Sequence, residues 1–248
     1  MTLEQFFAEN PKVALAFSGG VDSAYLLYTA KENGAEVCAY YVKTPFQPQF
    51  EYEDALHLAR ELGVAMTTLE LDVLADSIIT ANQKNRCYYC KKKIFTAILE
   101  QAKQDGFPLV IDGTNASDDC ADRPGMQALS ELGVRSPLRE CELSKQDIRR
   151  LSKEAKLFTH DKPAYACLAT RVPTGTEITS DLLSKTERSE AFLKALGFAD
   201  FRIRHLGSGA KLEIRQEQLP LLLDRRESIV AELKKDYTSV LLDLEVRQ

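Results

Sequence analysis

The stretch Ala16-Phe-Ser-Gly-Gly-Val-Asp-Ser23 decides the fold. Residues 13–17, Val-Ala-Leu-Ala-Phe, are apolar without alternation, which predicts a strand buried on both faces. The run stops at Ser18-Gly19-Gly20, and a helical pattern begins at Val21 or Asp22. Glycines permit positive φ and let a backbone approach a ligand closely. The first N–H groups of a helix lack intrahelical partners and carry the positive end of its dipole. Strand, glycine turn and helix start therefore make an anion site suited to phosphates, with a plain capped turn as the alternative. No Gly-Lys-Ser/Thr follows the glycines, and the spacing is not Gly-x-Gly-x-x-Gly, so neither common nucleotide motif applies.

Working outward, helical periodicity covers residues 22–33 and ends at Gly34; residues 36–42 read as a strand, followed by a loop at Pro45 and Pro48. A helix over 52–62, a strand over 65–71, a helix over 91–104 and a short strand over 109–112 follow. Ser144-Lys-Gln-Asp147 has the form of a capping box opening a helix to about Ala155. Such alternation predicts an α/β fold, a parallel sheet with helices on both faces, whose ligands bind at the carboxyl ends of the strands. After Arg171 the pattern changes. Pro173-Thr-Gly175 reads as a linker and residues 180–196 as one long helix ended by Gly197. Residues 201–206 and 210–215 form a hairpin across Gly207-Ser-Gly209; a helix over 220–235 and a strand over 240–246 complete a small α+β unit. The expected boundary falls near residue 175, giving domains of 1–175 and 176–248.

At 248 residues the chain can bury one large core or two modest ones. Its 44% hydrophobic and 28% charged residues are those of an ordinary soluble protein. No apolar run approaches membrane-spanning length and the N-terminus lacks a basic flank, so a cytoplasmic protein without membrane partners is expected. A net charge of −5 speaks against extended nucleic-acid binding. In that compartment the six cysteines are expected as thiols, metal ligands or catalysts rather than disulfides.

Three further stretches carry chemistry. Asp112-Gly-Thr-Asn-Ala-Ser-Asp118-Asp119 closes a strand with acids that could hold Mg²⁺ beside phosphates, or simply cap a solvated turn. Cys87-Tyr-Tyr-Cys90, followed by Lys91, Lys92 and Lys93, suits redox chemistry or a soft metal, with buried thiols at a helix start as the bland reading. In Asp161-Lys-Pro-Ala-Tyr-Ala-Cys167-Leu-Ala-Thr-Arg171, a cysteine between Lys162 and Arg171 has a setting that favours thiolate.

The Ser18–Ser23 string resembles the PP-loop of the N-type ATP pyrophosphatases, which split ATP between its α- and β-phosphates. Taken with Arg123-Pro-Gly125 and Val134-Arg-Ser-Pro-Leu138, the set resembles the LarE-type ATP-dependent sulfur transferases along nearly the full chain. The resemblance implies ATP and Mg²⁺, with a pyridinium dicarboxylate mononucleotide that is adenylated and converted to a thiocarboxylate for a nickel-pincer nucleotide cofactor. Ser18, Gly19, Gly20, Asp22 and Ser23 would hold the phosphates, with Asp22 also catalytic. Val42 within residues 41–44 would meet the adenosine, and Gly113 would join the ATP site. Arg202 and Arg204 would clamp the substrate phosphate, with Glu190 and Glu213 as weaker candidates.

The resemblance also divides by sulfur source. Cys167 alone can give up its sulfur, or Cys87, Cys90 and Cys167 can hold a [4Fe–4S] cluster whose open iron carries hydrosulfide supplied as sulfide or by a donor. Three cysteines favour the cluster. Cys38, Cys120 and Cys141 have no matching role, and Cys38 is expected in the core. A homo-oligomer is expected. The competing readings are a PP-loop tRNA thiolase with a three-cysteine cluster and a non-catalytic nucleotide-binding or iron–sulfur scaffold.

Overall fold

The computed structural model describes residues 1–118 and 124–245. The expectations resting on Asp119, Cys120, Arg123 and Val246 lie outside the described residues. In chain order the elements are α1 (Leu3–Glu9), β1 (Lys12–Ala16), α2 (Val21–Glu32), β2 (Glu36–Lys43), α3 (Gln49–Glu61), β3 (Met66–Glu70), α4 (Ser77–Thr80), α5 (Arg86–Gln104) and β4 (Val110–Ile111). There follow α6 (Pro124–Glu131), α7 (Pro137–Glu140), α8 (Lys145–Glu154), α9 (Ser180–Ala195), β5 (Arg202–Leu206), β6 (Gly209–Glu213), α10 (Leu219–Asp224), α11 (Arg226–Leu233) and β7 (Val240–Leu242). Two compact units result, one of residues 1–73 and 85–162, the other of residues 74–84 and 163 onward.

The first unit is built on a parallel sheet of order β3-β2-β1-β4. Successive residues of a strand point to opposite faces. Val13 and Leu15 accordingly join Phe6, Phe7, Leu27 and Leu138 on one face, while Ala14 joins Tyr40, Phe95 and Ile98 on the other. Both clusters are buried, which is why β1 reads as a continuous apolar run. The chain winds outward from β1 to β3 and then returns to β4 on the opposite side of β1. The carboxyl end of β1 is thus the switch point where ligands of such sheets bind. Arg135 extends this edge, bridging to Ile111 and donating its N–H to the Val110 carbonyl at 3.1 Å.

The expected helix at 91–104 begins earlier, at Arg86, so Cys87 and Cys90 lie within α5 rather than ahead of it. The Tyr88 hydroxyl donates to Glu131 of α6 at 2.7 Å, a tertiary contact that no local signal announces. In the second unit β5 and β6 pair antiparallel across Gly207, whose φ is +59°, as the hairpin signal requires. The helix expected over 220–235 is two helices, broken at Arg225, and the last strand is the short β7, which pairs parallel to β6. A parallel return needs a crossover, which α10 and α11 provide. Ile203, Leu212, Phe198 and Ile229 form that unit's core.

Hydrogen bonds tie segment 74–84 to the second unit, and its Ile79 is fully buried. The Ile178 N–H donates to the Thr80 carbonyl at 2.8 Å, and Asn82 Nδ2 donates to the carbonyls of Pro173 and Thr176 at 2.9 and 3.1 Å.

Candidate active site

The turn after β1 carries Gly19 at φ +70° and Gly20 at φ −79°, with Gly20 as N-cap of α2. A Cβ at Gly19 would sit 3.0 Å from Ala55 Cβ of α3, so the loop lies directly on that helix. Gly20 is different: a Cβ there would meet only Ser18 Oγ at 3.5 Å, which leaves open space over the backbone. Ser18 and Ser23 tie the loop together, Oγ to Oγ at 3.1 Å, and Ser23 Oγ donates to the Gly20 carbonyl at 3.2 Å. No side chain among the described residues caps α2. An uncapped helix start beneath an open glycine backbone fits the phosphates of a nucleotide.

Asp22, in the first turn of α2, accepts from Asn115 Nδ2 at 3.3 Å and pairs with Lys145, the first residue of α8. The expected capping box places Lys145: Ser144 and Asp147 exchange side-chain-to-backbone hydrogen bonds at its foot. The loop after β4 packs against the same helix start, because a Cβ at Gly113 would lie 2.9 Å from the Ser23 nitrogen. Its acids have partners within the unit. Asp112 accepts from Ser136 Oγ at 2.6 Å and Thr114 Oγ1 at 2.5 Å, and Asp118 accepts from the Asn115 N–H at 3.0 Å. Val42 is buried near the end of β2, paired with Leu69. Next to it, the Tyr41 hydroxyl is buried with no hydrogen-bond partner among the described residues. Burial, and after it the Glu51 charge, raises the Tyr41 pKa well above the ordinary phenol value.

Cys87 and Cys90 stand one helical turn apart at the start of α5, Cys87 exposed and Cys90 half-buried. Arg86 Nη2 lies 3.7 Å from Cys87 Sγ. Both are thiols, as are Cys38, Cys141 and Cys167. Cys38 is buried in β2, as expected. Among the described residues no three His, Cys, Asp or Glu side chains are grouped to hold a metal ion.

In the second unit Cys167 caps a 3-10 turn, Leu168–Arg171. Arg171 is fully buried and donates Nη1 to the Ala166 carbonyl and Thr170 Oγ1, both at 2.8 Å. Its other face meets Glu190, which also accepts from the Tyr165 hydroxyl and, at 3.0 Å, from the Ile203 N–H. Burial opposes the Arg171 charge, but the Glu190 hydrogen bonds outweigh it and its pKa rises. The two arginines of β5 do not form a solvated face. Arg202 is buried, donating to the carbonyls of Phe201 and Ala164, and its guanidinium lies 5.2 Å from the centre of the Tyr165 ring. Arg204 donates to Glu213 and to the Thr170 carbonyl, each at 2.6 Å. Glu213 is therefore held below the usual carboxylate range: burial works to raise it, and Arg204 and Lys211 more than offset that.

Of the two cations expected to flank Cys167, Arg171 donates to the Cys167 carbonyl at 3.4 Å while pairing with Glu190, and Lys162 pairs with the first unit's carboxylates. Sequence reasoning missed Asn115 and Lys145 as partners of Asp22. Asn115 stood inside a quoted loop, whereas no local pattern marks Lys145.

A parallel sheet with this strand order, bearing Ser-Gly-Gly-Val-Asp-Ser at its switch point, defines a PP-loop α/β protein. Residues 12–110 match the family described as queuosine biosynthesis protein QueC. The chain is 38% identical over 218 residues to an uncharacterized protein of Synechocystis sp., covering 88% of this chain and 81% of that one. It is 31% identical over 246 residues to the pyridinium-3,5-bisthiocarboxylic acid mononucleotide synthase of Lactiplantibacillus plantarum, covering 98% of this chain and 89% of the synthase. A tRNA-specific 2-thiouridylase of Clostridium botulinum is 28% identical over 182 residues, 60% of this chain and 52% of that enzyme. The chain belongs to the family of the L. plantarum synthase, the LarE-type ATP-dependent sulfur transferases. No helix of the described residues is long and apolar enough to cross a membrane.

Proposed function

We propose that this enzyme adenylates a carboxylate of pyridinium-3,5-biscarboxylic acid mononucleotide and converts it to a thiocarboxylate. The observation that carries the reading is the match to the synthase along 98% of the chain, which takes in both the phosphate loop and the Cys167 segment. A carboxylate is a poor electrophile, so its oxygen must first become part of a good leaving group. The substrate oxygen attacks the α-phosphorus of ATP, and the bond to the β-phosphate oxygen breaks, releasing pyrophosphate. Sulfide then attacks the acyl carbon and AMP departs with the carbon–oxygen bond pair.

Ser18, Gly19, Gly20 and Ser23 bind the leaving pyrophosphate at the positive end of α2. Asp22, oriented by Asn115 and Lys145, and the phosphates would hold Mg²⁺, which neutralises charge on the leaving group. Val42 and Gly113 border the nucleotide. Arg202 and Arg204 offer guanidinium groups for the substrate phosphate, and the domain bearing them receives the substrate.

Cys87, Cys90 and Cys167 would hold the [4Fe–4S] cluster, leaving one iron without a protein ligand to carry hydrosulfide. The spacing of Cys87 and Cys90, one turn apart on α5, supports this reading. Comparing pyrophosphate release stimulated by the mononucleotide and by tRNA tests the substrate. Stimulation by the mononucleotide alone supports the reading, and stimulation by tRNA alone makes this a thiolase.

A further inference from the structure

We propose that Lys145 stands in for Mg²⁺ at Asp22, cancelling that carboxylate's charge so that the phosphate loop accepts ATP before the metal is in place. This rests on the reading of Ser18–Ser23 as the ATP site and of Asp22 as a magnesium ligand.

The Lys145 ammonium pairs with Asp22 Oδ2, and Asn115 Nδ2 donates to Oδ1 at 3.3 Å. Lys145 and Asp22 are 123 residues apart in the chain, and their side chains are 34% and 22% exposed. Asp22 lies in the first turn of α2, just beyond Gly20 and its open backbone. An uncompensated carboxylate there would repel the phosphates that the helix start attracts.

Lys145 is not placed for the benefit of its own helix. It is the first residue of α8, where a cation opposes the helix dipole. Its root is fixed nonetheless. The Lys145 N–H donates to Ser117 Oγ at 2.9 Å, the Ala116 N–H donates to the Leu143 carbonyl at 2.9 Å, and Ser144 and Asp147 close the capping box. The loop after β4 and the start of α8 thus make one frame, which presents the Asn115 amide and the Lys145 ammonium to the two oxygens of Asp22. An ammonium on a flexible stem can leave a carboxylate for a phosphate oxygen without moving that frame. Asp112 is different, being held by the hydroxyls of Ser136 and Thr114. A carboxylate oxygen is also the ligand that Mg²⁺ takes. Lys145 and the metal are therefore alternatives: either cancels the Asp22 charge, and ATP needs one of them.

The test is calorimetric binding of ATP to the full-length protein, with saturating Mg²⁺ and with EDTA, for the unaltered chain, Lys145→Met and Lys145→Arg. Without metal, Lys145→Met should bind ATP at least about tenfold more weakly than the unaltered protein, and saturating Mg²⁺ should shrink that loss to about threefold or less. Lys145→Arg keeps the charge and should follow the unaltered protein in both conditions. In an Asp22→Asn background, Lys145→Met should cost metal-free binding about twofold or less, because no carboxylate is left to cancel. Equal losses with and without Mg²⁺ would make Lys145 a plain phosphate contact or a prop of the fold, and no loss without metal would make the pair a surface ion pair. Either result overturns the proposal, as does an unaltered protein that binds ATP only with Mg²⁺. Those results leave the ATP site standing, whereas an unaltered protein that binds ATP in neither condition overturns that reading and the proposal with it.

Discussion

Arg171 and Glu190 form a two-point ion pair inside the second unit, Nε to Oε1 at 2.8 Å and Nη2 to Oε2 at 3.0 Å, with side chains 0% and 4% exposed. From this pair the guanidinium reaches the carbonyls of Ala166 and Cys167, and the carboxylate reaches Tyr165 and the β5 backbone. The backbone on both sides of Cys167 is thus set by one buried charge pair.

Removing one partner leaves a buried charge uncompensated. Glu190→Ala should cost about 3–5 kcal/mol of stability in denaturant unfolding. Adding Arg171→Met should recover much of that, because two apolar side chains can replace a buried pair at little cost. Sulfur transfer should stay lost in the double variant, since the carbonyls flanking Cys167 lose their donor. A double variant as unstable as the single one would mean that shape, not charge, dominates there.

The glycines of the phosphate loop should separate by role. Gly19→Ala must hold a side chain at φ +70° and 3.0 Å from Ala55, costing roughly 1–2 kcal/mol for the left-handed conformation alone. Gly20→Val meets little protein, so it should melt normally yet lose pyrophosphate release. A Gly20→Val enzyme that adenylates at the usual rate would remove the loop from the ATP site.

Arg204→Ala should weaken mononucleotide binding by roughly 1.5–3 kcal/mol, as a hydrogen bond to a charged group is lost. ATP binding should hardly change. Calorimetric titration of both ligands checks this, and equal losses would show that Arg204 supports the fold through Glu213 and Thr170.

His205 gives the pH dependence. Burial, ahead of the Lys185 charge, lowers its pKa from 6.5, although the Leu182 carbonyl and Asp181 work the other way. The unfolded chain therefore takes up a proton that the folded one refuses, and stability falls as pH drops below about 6.5 towards the folded value. His205→Gln should flatten that part of the melting-temperature profile. An unchanged slope between the two proteins would assign it to other groups.

The sulfur source has its own check. An anaerobic preparation should contain iron and acid-labile sulfide, and each of Cys87→Ala, Cys90→Ala and Cys167→Ala should lose the cluster absorbance while keeping pyrophosphate release. Dehydroalanine at position 167 in active, iron-free protein would place the sulfur on Cys167 itself.

The sequence made the strand, loop and helix from Lys12 to Glu32 legible, because apolar run, glycines and helical period all agree there. The Ser144 capping box and the Gly207 hairpin were legible for the same reason, each being a local hydrogen-bond pattern. What escaped depends on distant partners. The first turn of α5 forms against Glu131, residues 74–84 join the second unit through Asn82, and Lys145 reaches Asp22 from far along the chain. The resemblance singled out Arg202 and Arg204 together, but no local pattern shows that Arg202 is buried beside Tyr165.

In the proposed reaction, ATP cleavage serves to exchange a carboxylate oxygen for sulfur. Incubating the anaerobic enzyme with ATP, Mg²⁺, sulfide and pyridinium-3,5-biscarboxylic acid mononucleotide, and following both pyrophosphate and the mass of the mononucleotide, tests it directly. A thiocarboxylate product should form, with one pyrophosphate per sulfur inserted. A mononucleotide of unchanged mass, with ATP left intact, would contradict it.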